Sequence, residues 1–278
     1  MAELTLVGTA TAQTERERDA FAAVELARNP ARPRALQVIS RAFTDFTEQR
    51  GDRLFGDDRA VVGGPARLDG RWVMVVGQEK GTDAVSRAVH NFGMPHPEGY
   101  RKQQRLMRTA EKFGLPVICL IDTPAAHPGV GAEERGQAWA IAESLMTTLR
   151  LRVPVVSAVL SEGGSGGALA LGLGDRVLAW ENAVYTVAPP ETCAAILYRD
   201  AGQRARAALA MKPGVDTAFA LGLVDELVPE PPPGAHAFPD VAIAALRGAL
   251  VRHLDEIVDI DRDALVAQRM RRYREAGG

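Results

Sequence analysis

Apolar residues recur along this chain with two periods, and the way these alternate predicts its elements. From Ala35, the positions Leu36, Ile39, Ala42, Phe43 and Phe46 fall at three- and four-residue steps, which predicts an amphipathic helix against a core. Two β-rich runs, Ala60–Leu68 and Arg71–Gly77, flank Asp69-Gly70, a dipeptide suited to the positive-φ turn of a tight hairpin. Helix and buried strand then alternate. A helix from Glu98 to Phe113, stopped by Gly114, precedes the strand Pro116–Ile121, and a helix from Glu133 to Leu149 precedes the strand Pro154–Leu160. A glycine-rich turn follows, then a small-residue helix Ala168–Leu173 and the strand Arg176–Trp180. That order calls for parallel pairing with right-handed crossovers, so the core is α/β. Beyond residue 183, the short apolar runs Tyr185–Val187 and Leu223–Val228 alternate with helical segments, and Pro229–Pro233 reads as a stiff linker. From Pro239, the residues Ile243, Leu246, Leu250, Leu254 and Ile257 share one helical face, and Arg269–Arg274 reads as a charged end. Residues 1–34 are polar and broken by Pro30 and Pro33, so they read as a loose arm with at most one short helix. Residues 35–278 form the main domain on this reading.

Composition narrows the partners. A chain of 278 residues with 46% hydrophobic content buries a full core, and its formal net charge of -2 leaves no global field for nucleic acid or acidic membrane. Any anion site must be local. The two cysteines, Cys119 and Cys193, lie in apolar stretches, which suits buried thiols in a reducing compartment and no metal site. No apolar run approaches the ~20 residues of a membrane span, and the amino terminus lacks a basic start, so a cytoplasmic protein is expected.

The most informative stretch is Ser161-Glu162-Gly163-Gly164-Ser165-Gly166-Gly167, between a β-branched strand and an Ala/Leu helix. Glycines let a backbone approach a ligand closely, and a turn opening into a helix aims unpaired N–H groups outward, the makings of an oxyanion or phosphate cradle. The bland alternative is a tight connection whose glycines only permit close helix–sheet packing. A phosphate loop is excluded because no lysine ends the stretch, and a dinucleotide fingerprint fails because Leu169 stands where a glycine or alanine is needed. A second candidate runs from Asp122 to Gly136 after the strand ending at Ile121, and both stretches lie at carboxyl ends of strands, where ligands collect. They are expected to share one crevice, with Ala125, Ala126, His127, Gly129, Val130, Gly131 and Ser165 as candidate ligand contacts, His127 being either a general acid or base or a structural or ligand-contacting ring. A third stretch, Asn91–Lys102, brings Arg101 and Lys102 to the start of a helix, either as solvated charges or as phosphate contacts. The reading expects no Gly-x-Ser-x-Gly elbow, no His-Glu-x-x-His and no cysteine-rich cluster, which leaves much of the chemistry to backbone donors.

Five strings in fixed order carry a resemblance: Gly51–Asp58, Asn91–Pro95, Pro97–Lys102, Gly131–Gln137 and Glu162–Ala170. From about Ala35 onward the chain resembles the alpha subunits of the carboxyltransferase component of bacterial-type acetyl-CoA carboxylase. The resemblance implies a crotonase-like fold, a spiral of ββα units with flanking helices, and an active site shared with a beta-type subunit in a hetero-oligomer. It implies that this half takes carboxybiotin on a biotin carboxyl carrier protein while the beta half binds acyl-CoA. The carboxyl group then moves to an acyl thioester, acetyl-CoA giving malonyl-CoA for fatty acid biosynthesis, or a related substrate. Carried over, Gly163, Gly164, Gly166 and Gly167 would hold the ureido oxygen of biotin, each donor contributing roughly 2.7–4 kcal/mol. On that reading, Gly164→Val keeps fold and assembly and loses turnover. The chain departs from the family pattern at Ala125-Ala126-His127, where Gly-Ala-Tyr is usual, in the basic residues thinned from Thr82–His90, and in a shorter amino-terminal extension. Two alternatives stand beside this one: a crotonase-fold acyl-thioester decarboxylase or hydrolase working without biotin, with His127 recruited, and a non-catalytic partner subunit.

Overall fold

The dipeptide Asp69-Gly70 turns the chain as its chemistry allows, with φ of 50° and 79°, and pairs strand β1 (Val61–Leu68) antiparallel to β2 (Arg71–Gln78). A computed structural model describes residues 2–276, with side chains from Glu15 onward. Before the hairpin come α1 (Ala2–Ala27) and α2 (Ala35–Ala42); after it come α3 (Ala84–Val89), α4 (Pro97–Phe113) and β3 (Val117–Thr123). Next are α5 (Val130–Glu134), α6 (Gln137–Arg150), β4 (Val155–Gly164), α7 (Ser165–Gly172), β5 (Arg176–Trp180) and β6 (Val184–Thr186). The rest is α8 (Pro190–Tyr198), α9 (Arg204–Met211), α10 (Val215–Ala220), β7 (Glu226–Val228), α11 (Pro239–Ile257) and α12 (Arg262–Glu275).

The sheet runs β1-β2-β3-β4-β5-β7, parallel from β2 onward. Strand β4 has two sets of neighbours. Val156–Val159 pair with β5, whereas Glu162–Gly164, past the end of β5, pair with β6, which opens a second small layer at the carboxyl end of the sheet. Alternation along β3 sends Ile118 and Leu120 to one face, under α2 and α11, and Val117, Cys119 and Ile121 to the other, under α4 and α7. The predicted apolar stripe of α11, Ile243 through Ile257, lies in the first of these layers.

Four features differ from the sequence reading. Where at most one short helix was expected, α1 covers 26 residues, and the segment after it is locked down: Arg32 and Arg34 are fully buried in ion pairs with Glu230 and Asp122. The helix expected over Glu133–Leu149 is two helices, because Gly136 at φ 80° breaks it. The carboxyl-terminal segment also divides, with Asp261 capping α12 through the N–H groups of Asp263 and Ala264. Arg269 belongs to no solvated end. It is buried against Asp175 at 2.5 Å and donates to the carbonyls of Thr148, Leu151 and Val153. Cys119 is buried, its thiol pushed up to about 12 by desolvation, while Cys193 is only half-buried. Among the described residues, no helix is long and apolar enough to cross a membrane, and no group of three or more His, Cys, Asp or Glu side chains could hold a metal.

Candidate active site

Strand β4 does not stop at Leu160 but continues through Gly164, and α7 begins at the next residue, so the expected glycine turn is no turn. The glycines divide by role. A Cβ at Gly164 would lie 1.9 Å from the Pro124 carbonyl oxygen, one at Gly163 would lie 2.4 Å from the Tyr185 ring, and one at Gly167 would lie 2.9 Å from the Ala126 nitrogen. These three are glycines because neighbouring chain passes too close for any side chain. Gly166 has room, its nearest foreign atom being 3.4 Å away on Ile141. Gly163 and Gly164 are also register partners of β6, with Gly163 opposite Thr123 of β3 as well, so their peptides sit within the sheet.

The first turn of α7 offers what the sequence reading sought. Its opening N–H groups, on Ser165, Gly166 and Gly167, have no intrahelical partner, and the helix dipole adds positive potential there. Ser165 and Gly166 border a cavity of about 280 Å³ completed by Leu169, Tyr185, Thr186 and Val187. Burial pushes the Tyr185 phenol up to about 12, so it stays protonated at neutral pH. The junction is in fact a Gly-x-Ser-x-Gly string, Gly163 to Gly167, on a strand-to-helix corner with Ser165 at φ 56°, contrary to the expectation that no such elbow occurs.

The two glycine-bearing stretches do come together. Pro124 packs on Gly164 and Ala126 on Gly167, which places Ala125, Ala126 and His127 along one side of the first turn of α7. His127 stacks on His96 with ring centroids 4.1 Å apart, and its Nδ1 accepts from the Gly129 N–H at 3.0 Å. Burial and the neighbouring His96 lower its pKa, leaving a neutral ring with the proton on Nε2. A side chain at Gly129 would strike that ring at 2.5 Å, and Gly129 to Gly131 start the short α5 with Val130 exposed. Arg101 and Lys102 are not brought to the crevice. Arg101 binds Asp52 at 2.8 Å and Glu98 at 3.0 Å, and the buried Lys102 binds Asp57 at 2.6 Å, so both fasten the 51–58 segment to α4.

Sequence reasoning missed the charges beneath the crevice. Lys80, just beyond β2, lies 2.8 Å from Asp122 at the end of β3 and 2.5 Å from Glu162 near the end of β4. Arg34 reaches Asp122 at 2.9 Å, and Arg28 bridges Glu162 and Glu191, each at 2.7 Å. Burial alone would raise the Asp122 and Glu162 carboxyls, but Lys80, with Arg34 beside one and Arg28 beside the other, holds both below the usual carboxylate range. Three cations thus balance three anions under the strand ends that lead into α7. The partners in these pairs stand 42 to 163 residues apart, so no local spacing announces them.

Comparison with known proteins agrees with this architecture. The family described as acetyl co-enzyme A carboxylase carboxyltransferase-like matches residues 7–277. The acetyl-coenzyme A carboxylase carboxyl transferase subunit alpha of Thermus thermophilus is 53% identical over 254 residues, 91% of this chain and 81% of that protein. Its counterpart in Deinococcus radiodurans is 54% identical over 254 residues, 91% of this chain and 80% of that protein. Two solved structures share the fold at low identity. Transcarboxylase 12S with methylmalonyl-coenzyme A bound superposes with a TM-score of 0.65 at 22% identity, over 81% of this chain and 41% of that one. A Pseudomonas malonate decarboxylase hetero-tetramer with coenzyme A gives 0.66 at 19% identity, over 86% and 94%. Matched over nearly its whole length and more than half identical to such alpha subunits, the chain belongs to the acetyl co-enzyme A carboxylase carboxyltransferase-like family.

Proposed function

We propose that this chain is the alpha-type half of a biotin-dependent acyl-CoA carboxyltransferase and that a beta-type subunit completes its active site. The observation that carries this reading is the first turn of α7, whose unpaired N–H groups open onto a cavity with largely apolar walls. That combination fits the head of biotin: Leu169, Tyr185 and Val187 would face its ring system, and the N–H groups of Ser165, Gly166 and Gly167 would face its ureido oxygen. When bound, carrier-borne biotin supplies the carboxyl group and then a ureido nitrogen able to take the α-proton of the thioester.

The chain's own part is electrostatic. Donors fixed by a helix need no reorganisation as negative charge builds on the oxygen they face, and each contributes roughly 2.7–4 kcal/mol. Gly163 and Gly164 support this indirectly, by letting β3 and β6 close on β4 so that α7 starts at a fixed point. Among the described residues the cavity brings no base of its own, since Tyr185 keeps its proton and no carboxylate or histidine lines the space. The proton acceptor must therefore arrive with the ligand.

Leu169 and Val187 at the cavity, with Val130 and Trp139 on the α5–α6 side, stand exposed. Apolar surface at a crevice mouth suits coverage by a partner, here the beta-type subunit with its acyl-CoA. The test is reconstitution. With a beta-type subunit and a carboxylated carrier, acetyl-CoA should yield malonyl-CoA, and the chain alone should give almost none. Malonyl-CoA formation by the chain alone at the rate of the complex would overturn the proposal, and breakdown of malonyl thioesters by the chain alone would favour a decarboxylase.

A further inference from the structure

The start of α7 holds a side chain that backbone chemistry does not require. Ser165 sits between four glycines, and with φ 56° it adopts the left-handed conformation that glycine takes freely and a residue with a Cβ takes at a cost. A fifth glycine would relieve that strain. Its hydroxyl makes no hydrogen bond among the described residues, although the residue is half-buried and borders the cavity. On the inner side of the same turn, the Tyr100 phenol is fully buried without a partner among the described residues, and it lies 3.2 Å from where a Cβ of Gly167 would stand. The Ser165 hydroxyl, bordering the cavity without a partner among the described residues, is thus left for something bound there.

We propose that the Ser165 hydroxyl is a further catalytic donor, giving its hydrogen bond to the oxygen that the N–H groups of α7 face. The inference rests on the carboxyltransferase reading and deepens it. Ser165 is no nucleophile. Among the described residues no histidine or carboxylate borders the cavity to take its proton, and its titratable neighbour Tyr185 holds its own. What the left-handed corner achieves is placement: it turns the side chain of the first helical residue toward the open side, beside the unpaired N–H groups. A hydroxyl held there donates to a charged oxygen without having to be ordered first.

The experiment uses the complex of the full chain with a beta-type subunit, running malonyl-CoA-driven carboxylation of biocytin, and compares wild type with Ser165→Ala and Ser165→Gly. Both variants should lose about 10- to 100-fold in kcat/KM for biocytin, the worth of one hydrogen bond to a charged group, while KM for malonyl-CoA stays within about twofold. Thermal melting gives a readout independent of turnover: Ser165→Gly should melt about 2–4 °C above wild type as strain is released, and Ser165→Ala should not. Variants that both turn biocytin over within about twofold of wild type overturn the proposal. A loss confined to Ser165→Gly also overturns it, since rigidity rather than the hydroxyl would then matter, as does a Ser165→Gly chain that melts below wild type. If the wild-type complex carboxylates no biocytin, the carboxyltransferase reading fails and takes this inference with it.

Discussion

Alanine at Gly164 tests whether the glycines of this site serve packing or ligand, because the two roles predict opposite outcomes. The new Cβ would stand 1.9 Å from the Pro124 carbonyl oxygen and 2.4 Å from its carbon, against the 3.4 Å or more of ordinary contact. The end of β3 would have to retreat from β4 by about 1.5 Å, and what must move is backbone rather than a pliable side chain. Overpacking of a core costs about 1–3 kcal/mol and occasionally more, and a backbone collision inside a sheet belongs at the top of that range. With about 2–4 °C per kcal/mol for a chain of this size, Gly164→Ala should melt roughly 6–12 °C below wild type. The earlier expectation that Gly164→Val folds and assembles normally therefore fails on steric grounds. Gly166→Ala is the matched control: its Cβ meets only the Ile141 side chain at 3.4 Å, and its melting temperature should stay within about 2 °C of wild type. Melting curves followed by far-ultraviolet circular dichroism decide the matter. A Gly164→Ala chain that melts with Gly166→Ala would show that the β3–β4 approach yields easily, and the division of roles among the glycines would be wrong.

Three further outcomes follow from the buried charges. Lys80→Met leaves Asp122 and Glu162 short of a cation and should cost about 3 kcal/mol at pH 7; because both carboxyls are depressed in the fold, the gap to wild type should shrink as pH falls below about 4, and a pH-independent gap would refute the ion-pair account. Burial works against the Asp52 carboxylate, yet the N–H groups of Leu54, Phe55 and Gly56 and the Arg101 guanidinium hold its pKa at about 2. Its contribution is thus present above an unfolded value near ~3.9 and lost as pH falls toward 2, and denaturation of Asp52→Asn should lack that acid-side slope. Arg269→Met strands the buried Asp175 and three carbonyls, and should lower stability by about 3–5 kcal/mol without changing KM for either substrate, which melting and steady-state kinetics check together.

What the sequence made legible was whatever depends on near neighbours. Continuous apolar runs located β3 and β4, Asp69-Gly70 located the hairpin, and the five motif strings located the family. The glycine stretch stood out in the sequence, but the packing role of each glycine was not legible, because Gly164 is explained by Pro124, forty residues earlier, and Gly163 by the ring of Tyr185. Arg269 read as a surface charge because nothing nearby in sequence announces Asp175, and Lys102 read as a helix charge because Asp57 approaches from another segment. The Gly-x-Ser-x-Gly string was present in plain letters. It was overlooked because each of its variable places is also glycine, which hides the motif inside a uniform run.

The ion pairs under the crevice also fix when the site can exist during synthesis. Arg28 finds Glu162 across 134 residues and Arg32 finds Glu230 across 198, so the earliest part of the chain is completed by some of the latest. A ribosome that has released only the chain through α7 has already made the donor turn, but Arg32 then lacks its carboxylate and β7 has not joined the sheet. Closing spans of that length precedes any reward from the contacts, which makes assembly slow and late. A nascent chain stalled before residue 230 would hold α7 and the Lys80, Arg34 and Arg28 pairs, but Arg32 would reach Ser161 and Leu160 without its carboxylate.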